Sequence, residues 1–352
     1  MISLVASRET GRKTVNLWHD WESLHTAWDD FVERHEKGSI FHSSAMIRAF
    51  HAAKGHSVLP LAAIGAQGEI LALLVAVRVQ TLPDPLGRVA SRSILYAEPL
   101  CHDDPASIDA LTSLVRKHDQ FMHRRVVFTE VRPFSSSGPE KIALERCGYE
   151  FLDYLNYVLD LTPPRDNLWT KMRKSARRGV QHGNRCNFHF REVSTASGID
   201  ELYRFLALSY HRSRVPLADR SLFEAAFAEL HPRGWLTLLA TYDGDNPVAM
   251  DSLLTYKGRA LAWYGGLARM TGVSPFDFLQ WHEILLAKQQ GSTLYDFGGA
   301  GWPDEPYGVR DFKAKFGGAL VCYGRYRKIY APWKMAVAKR AYAVGRKIIA
   351  PK

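Results

Sequence analysis

The chain has 352 residues, 46% hydrophobic, 12% aromatic and 23% charged, a profile that excludes wholesale disorder and, at roughly 100–200 residues per domain, suggests two domains or one large one. The longest apolar run, Ile70–Val77, falls short of the ~18 residues a membrane span needs, and the first thirty residues lack the apolar stretch of a signal peptide, which points to a cytoplasmic protein. The net charge of +10 is concentrated: 165–185 holds Arg165, Lys171, Arg173, Lys174, Arg177, Arg178 and Arg185 against Asp166, 331–352 holds six cations and no acid, and the rest is near neutral.

Periodicity predicts a helix at Trp18–His35, strands at Val58–Ile64 and Ile70–Val79, and a short strand near Ser93–Ala97. Asp104-Pro105 opens a helix reaching about His123. A strand at Arg125–Val131, a helix at Glu140–Arg146 stopped by Gly148, and a strand at Glu150–Leu161 complete the first half. After Thr162-Pro163-Pro164 come a helix at Leu168–Gly183, a strand at Phe188–Val193 and helices at Ile199–Tyr210 and Ser221–Leu230. Strands at Trp235–Tyr242, Pro247–Tyr256 and Ala260–Leu267, a helix at Ser274–Gln290 and a strand at Leu294–Phe297 follow. Both halves thus run through strand, turn, strand, strand, helix, strand. The domains expected are 1–161, 162–330 and a basic C-terminal helix at 331–352.

The common catalytic signatures are missing: there is no phosphate-binding P-loop, no G-x-S-x-G and no G-x-G-x-x-G after a strand, and His282-Glu283 lacks the second histidine of H-E-x-x-H. The four cysteines are scattered and no metal site is expected. His42, His51 and His56 share no face and read as surface or turn residues.

Three segments carry candidate chemistry. Arg269-Met270-Thr271-Gly272-Val273-Ser274 lies between a strand and a helix start, where unpaired amides and the helix dipole favour an anion. It resembles the [QR]-x-x-G-x-[GA] loop of the GNAT acyltransferases, which implies Arg269, Gly272 and Ser274 at a coenzyme A pyrophosphate; Ser274 also suits a helix cap, with Asp277 three residues on. Tyr295-Asp296-Phe297-Gly298-Gly299 ends a strand in small residues that let a ligand approach the backbone. Phe312-Lys313-Ala314-Lys315-Phe316-Gly317-Gly318 places cations beside aromatic platforms, suited to phosphate or adenine.

Together with K-x-R-K-x-x-R-x-G at Lys171, Arg173, Lys174, Arg177 and Gly179, these segments resemble the FemABX aminoacyl ligases, best over about 165–325. The resemblance implies an α/β (α+β) fold of two tandem GNAT-like domains with mixed central sheets, and an acyl- or aminoacyltransferase acting on a peptidoglycan or polysaccharide precursor. It places Phe312 and Lys313 at the terminal adenosine of an aminoacyl-tRNA, with Lys313 assisting transition-state charge, Lys315 beside them, and Arg212 or Arg214 on precursor phosphate. Phe41-His42-Ser43-Ser44-Ala45-Met46 stands where the family has F-Q-S-x-x-W.

The residues themselves agree with that chemistry. Lys313 can stabilise an oxyanion, and Asp296 can orient an amine, relay its proton, or cap the glycine loop. Lys171, Lys174 and Arg178 fall at i, i+3 and i+7, with Arg173 and Arg177 nearby, so that an anion such as tRNA, coenzyme A or a pyrophosphate-linked precursor would relieve their repulsion. Segment 331–352 alternates bulk with cations and suits either the protein body or the inner face of a membrane. Two further readings stay open: a coenzyme A-dependent N-acyltransferase acting on a sugar or small amine, and a non-catalytic RNA- or membrane-binding protein. No DNA partner and no tightly bound cofactor are expected.

Overall fold

The computed structural model describes residues 16–18, 25–80, 91–213, 215–268 and 274–336, with only the backbone for 16–18. The chain divides into two compact units, one of residues 1–152 with 323–352 and one of 153–322. No helix of the described residues is long and apolar enough to cross a membrane.

In the first unit, β1 (Asn16–Trp18) precedes α1 (His25–Arg34) and α2 (Ser44–Ala52). A hairpin of β2 (His56–Ile64) and β3 (Ile70–Val79) follows, then β4 (Arg92–Leu95) and β5 (Leu100–Cys101). α3 (Pro105–Met122), β6 (Phe128–Val131), α4 (Pro139–Arg146) and β7 (Glu150–Leu152) complete this stretch. β4 and β6 run parallel with α3 between them in sequence, while the other pairs are antiparallel. β3 is buried along nearly its whole length, which is why it reads as a continuous apolar run. Leu111, Leu114 and Val115 of α3 pack on Leu74, Leu95 and Val131 to form the core. Asp104 caps α3 by accepting the Ser107 amide at 2.9 Å, and Pro105 opens the helix.

The second unit opens with β8 (Leu155–Asp160), α5 (Arg165–Lys171), α6 (Lys174–Arg185) and β9 (His189–Val193). Helices α7 (Ser197–Ser213) and α8 (Arg220–Leu230) lead to the antiparallel strands β10 (Leu236–Asp243), β11 (Asn246–Tyr256) and β12 (Arg259–Leu267). α9 (Pro275–Gln289), β13 (Leu294–Gly301), α10 (Gly308–Lys313) and β14 (Ala319–Cys322) end it. Its sheet runs β14-β8-β13-β12-β11-β10-β9, with β12 and β13 parallel. The last strand, β15 (Arg325–Ile329), returns to the first sheet between β6 and β7. Each unit therefore repeats a hairpin, a strand, a helix and a parallel strand.

α6 reaches α9 through glycine. A methyl group on Gly183 would lie 2.7 Å from the Phe278 ring, and one on Gly179 would lie 2.5 Å from Asp277 Oδ2. Ala176 and Val180 fill the same seam, with Phe278, Trp281 and Ile284 opposite.

Several elements differ from the sequence reading. The division at 161/162 and 330 is not the one the sheets follow: β8 belongs to the second sheet and β15 to the first. The Trp18–His35 helix is a strand ending at Trp18 and a helix from His25. α2 was not foreseen, and its cap, Ser43 Oγ accepting the Met46 amide, holds it against the sheet with Ile47 and Phe50 buried. His42 is buried rather than superficial, its Nε2 donating to the Glu98 carbonyl at 2.9 Å. The expected helix at Leu168–Gly183 breaks at Met172 and Arg173, both extended, because the Arg173 amide leaves the helical ladder for the Lys315 carbonyl at 2.8 Å. Most of the C-terminal helix expected at 331–352 lies outside the described residues, which reach only 336.

Two buried polar clusters mark the first unit. Glu130 accepts from Arg132 at 2.9 Å and from Arg325 and Arg327 at 2.6 Å each. These arginines outweigh the cost of burial and hold its carboxyl down at about 2. Ser93, His118 and Asp119 form a hydrogen-bonded chain with links of 3.0 Å, but Ser93 and His118 are only 0% and 1% exposed. The chain lies inside the first unit and braces its core.

Candidate active site

The parallel pairing of β12 and β13 covers only Arg259–Leu261 against Leu294–Asp296, although both strands continue. Past Asp296, β13 turns toward β8 with irregular register at Gly299 and Gly301. Gly298 and Gly301 have φ of 75° and 81°, a region other residues enter only under strain. The strands therefore part in the middle of the sheet and leave backbone groups without ladder partners.

Lys313 enters this opening from α10. Its Nζ donates to the Gly299 carbonyl at 2.8 Å, and a methyl on Gly298 would lie 3.7 Å from Nζ and 3.8 Å from the Ala262 carbonyl on β12. Burial pulls the ammonium down to about 8, with Asp296 and then Asp251 pulling the other way. Asp296 Oδ1 accepts the Gly298 amide at 2.7 Å, so Asp296 does cap the glycine loop. Its carboxyl is raised by burial, against the pull of Arg259, Gly298 and Lys313.

The F-K-x-K segment sends its two lysines in different directions. Lys315 pairs with Asp277 on the first turn of α9 at 3.2 Å and lies 4.8 Å over the Phe312 ring. Phe312 packs against Phe276 and Phe316 with centroids 5.7 and 5.3 Å apart. Arg310 straps the end of β13 by donating to the Ala300 carbonyl at 2.7 Å and to that of Trp302.

The basic cluster is divided by the break between α5 and α6. Lys174, Arg177 and Arg178 line a cavity of about 290 Å³ with Trp169 and Gln181. Lys171 and Arg173 are elsewhere: Lys171 packs at Gly317, and Arg173 is tied through its amide to Lys315. The i, i+3, i+7 face expected from Lys171 to Arg178 is therefore not one helix face. Arg212 donates to the Leu267 carbonyl at 2.8 Å and to Ser209 Oγ at 3.1 Å, tying the end of α7 to that of β12. Arg214, Arg269 and Gly272 lie outside the described residues. Ser274 precedes α9, but its side chain does not cap the helix.

Sequence reasoning missed a buried acid group behind Lys313. Asp251 of β11 is 3% exposed and sits opposite Gly265 of β12. Burial raises its carboxyl to about 7, against the Ser252 amide and Lys313. Glu283 of α9 accepts the Tyr295 hydroxyl at 2.7 Å, and Gln280 Nε2 donates to Tyr295 at 2.5 Å. Glu283 is raised well above the usual range by burial and then by Asp251. The available signal was a carboxylate inside an apolar strand, Val248-Ala249-Met250-Asp251-Ser252-Leu253-Leu254; such a group is rarely buried without a task. Among the described residues no cluster of His, Cys, Asp and Glu is disposed to hold a metal.

Residues 170–313 match the family model described as an acetyltransferase (GNAT) domain. No curated protein matches the chain. Among solved structures, FemX aligns with a TM-score of 0.66 at 14% identity, covering 88% of this chain and 96% of its own. L-PGS from Bacillus licheniformis gives 0.57 at 13%, covering 95% and 98%. A tandem GNAT protein from the clavulanic acid biosynthesis pathway gives 0.50 at 11%, covering 89% and 98%. The chain thus has a FemX-like tandem GNAT fold. With the GNAT domain matched in its second unit, it is an acyltransferase.

Proposed function

We propose that the second unit joins an acyl or aminoacyl group to an amine, making an amide on a cell-envelope precursor of the peptidoglycan or polysaccharide kind. The observation that carries this reading is Lys313, half-buried and held at the Gly299 carbonyl where β12 and β13 part. An ammonium fixed there, with its desolvation already met by the fold, can stabilise the negative oxygen that develops as the amine attacks the acyl carbon. Asp296 holds the loop that presents Gly298 and Gly299, and so fixes where the carbonyl would lie. The amine nitrogen bonds to the acyl carbon, the bond to the donor's oxygen or sulfur breaks, and one amine proton passes to that leaving atom.

Aminoacyl-tRNA is the favoured donor. Trp169, Lys174, Arg177 and Arg178 offer a stacking surface and positive charge for a nucleic acid strand. Asp277 on the first turn of α9, paired with Lys315, already supplies an anion at the helix start where a coenzyme A pyrophosphate would bind. The second reading, an acyl-CoA-dependent N-acyltransferase, is favoured by the acetyltransferase description of the family matching 170–313.

The test incubates the full chain with a panel of amine precursors and either labelled aminoacyl-tRNA or acyl-CoA. Loss of label from tRNA supports the first donor, and release of free thiol supports the second. Consumption of neither removes the transfer reading; salt-dependent RNA binding unaffected by Lys313→Ala would then leave a binding protein.

A further inference from the structure

Lys313 brings one positive charge to a region holding three buried carboxyl side chains, Asp251, Glu283 and Asp296. Two of their oxygens, Glu283 Oε2 and Asp296 Oδ2, are buried with no hydrogen-bond partner. Asp251 Oδ1 accepts the Ser252 amide at 2.7 Å, the one hydrogen bond found to this carboxylate among the described residues. A buried carboxylate oxygen that has lost water without gaining a donor carries its full desolvation cost. The fold retains two such atoms in the unit that carries Asp251 and Lys313, where a bound cation can supply what is missing.

The surroundings specify the ligand further. A methyl on Gly265 would lie 2.7 Å from Asp251 Oδ2 and 2.6 Å from the tip of the Phe276 ring, so glycine there lets the carboxylate and the aromatic ring meet. Tyr210 of α7, stacked on Tyr264 at 6.0 Å, is close enough to Asp251 for the carboxylate to help raise its hydroxyl. A carboxylate short of donors beside aromatic rings suits a compact cation with several N–H groups.

We propose that Asp251, flanked by Phe276 and Tyr210, forms a subsite for the primary ammonium group of a substrate, separate from the Lys313–Gly299 contact. Its place in a reaction rests on the acyl-transfer reading. Where the ammonium is the acceptor's, the Asp251 carboxylate takes one proton from it and yields the neutral amine. The nitrogen then bonds to the acyl carbon, a second proton leaves with the departing oxygen or sulfur, and Asp251 returns the first to water. Where the ammonium belongs to an aminoacyl donor, it stays charged and Asp251 orients the adjoining carbonyl toward Lys313.

The test measures binding of n-pentylammonium, L-alaninamide and neutral 1-pentanol to the full chain. At least one ammonium probe is expected to bind ten times more tightly than 1-pentanol, and Asp251→Asn to bring all three within twofold. Preference for alaninamide assigns the subsite to the donor and preference for pentylammonium to the acceptor; either supports it. Equal binding of all three to the wild-type chain, or a preference that survives Asp251→Asn, overturns it. Calorimetry at pH 7 in two buffers of different ionisation enthalpy adds a reading that needs no variant. Ammonium binding should release a fraction of a proton from Asp251, which is faced by Glu283 on α9, Tyr295 on β13, Tyr210 on α7 and Lys313 on α10; no release overturns the subsite. Donor consumption measured in parallel separates the two readings. Selective binding without turnover keeps the subsite and removes acyl transfer, whereas turnover with unselective binding does the reverse.

Discussion

Glu130 and Asp251 are both carboxylates 3% exposed in the middle of a sheet, yet they are held in opposite states. Glu130 has three arginines at 2.6–2.9 Å and is ionised down to about 2. Asp251 has one backbone amide and a more distant lysine, and its carboxyl rises to about 7. Burial acts the same way on both, so the difference lies in the partners. A buried charge that the fold has fully paired serves the fold. One left half-paired, with its group poised to exchange protons near neutrality, is available for chemistry.

The comparison can be broken in several ways. The largest effect is expected from Lys313→Ala, which should lower turnover of the productive donor by about 10²–10³-fold while the melting temperature holds; undiminished turnover would remove the central residue of the proposed mechanism. Glu130→Gln should cost about 3–5 kcal/mol in denaturant unfolding, because it leaves three arginines around a neutral amide. A loss below 1 kcal/mol would mean that the cluster does not hold the fold. Asp251→Asn should do the reverse, stabilising the chain by about 1–2 kcal/mol at pH 8 and cutting turnover, as expected where a site is kept at the expense of stability.

The two carboxylates also predict opposite slopes against pH. Glu130 is lowered from 4.5 to about 2 on folding, so its contribution, about 3 kcal/mol, is present above pH 4.5 and lost as pH falls toward 2. Asp251 is raised from 3.8 to about 7, so the folded state keeps a proton the unfolded state releases, and stability declines as pH rises from about 4 to 7. Unfolding curves of each variant against wild type across pH 2–8 should show each slope vanish with its own residue. The smallest effect is expected at the basic cavity: changing Lys174 and Arg178 together to alanine should reduce the salt dependence of RNA binding by about two phosphate contacts.

Much of this molecule was legible in its sequence because the relevant signals are local. The Asp104-Pro105 start of α3, the apolar run of β3 and the glycine-rich end of β13 each follow from neighbouring residues. Lys313 stands out in the chain as a cation flanked by aromatics. What stayed hidden depends on residues far apart. The break between α5 and α6 exists because the Arg173 amide bonds to Lys315, more than a hundred positions away. Asp251 went unremarked because what sets it apart, the nearness of Glu283 and Lys313, comes from residues distant in the chain. The exchange of β8 and β15 between sheets leaves no mark on periodicity at all.

That exchange bears on how the protein is made. The first unit cannot close its sheet until Arg325–Ile329 has been synthesised, because β15 fills the place between β6 and β7. During translation β6 waits with an open edge while the whole of 153–322 emerges, so the later unit can fold first as an insert within the earlier one. A chain stalled before residue 325 would present that edge to other nascent chains, and its fate would turn on chaperones rather than on its own stability.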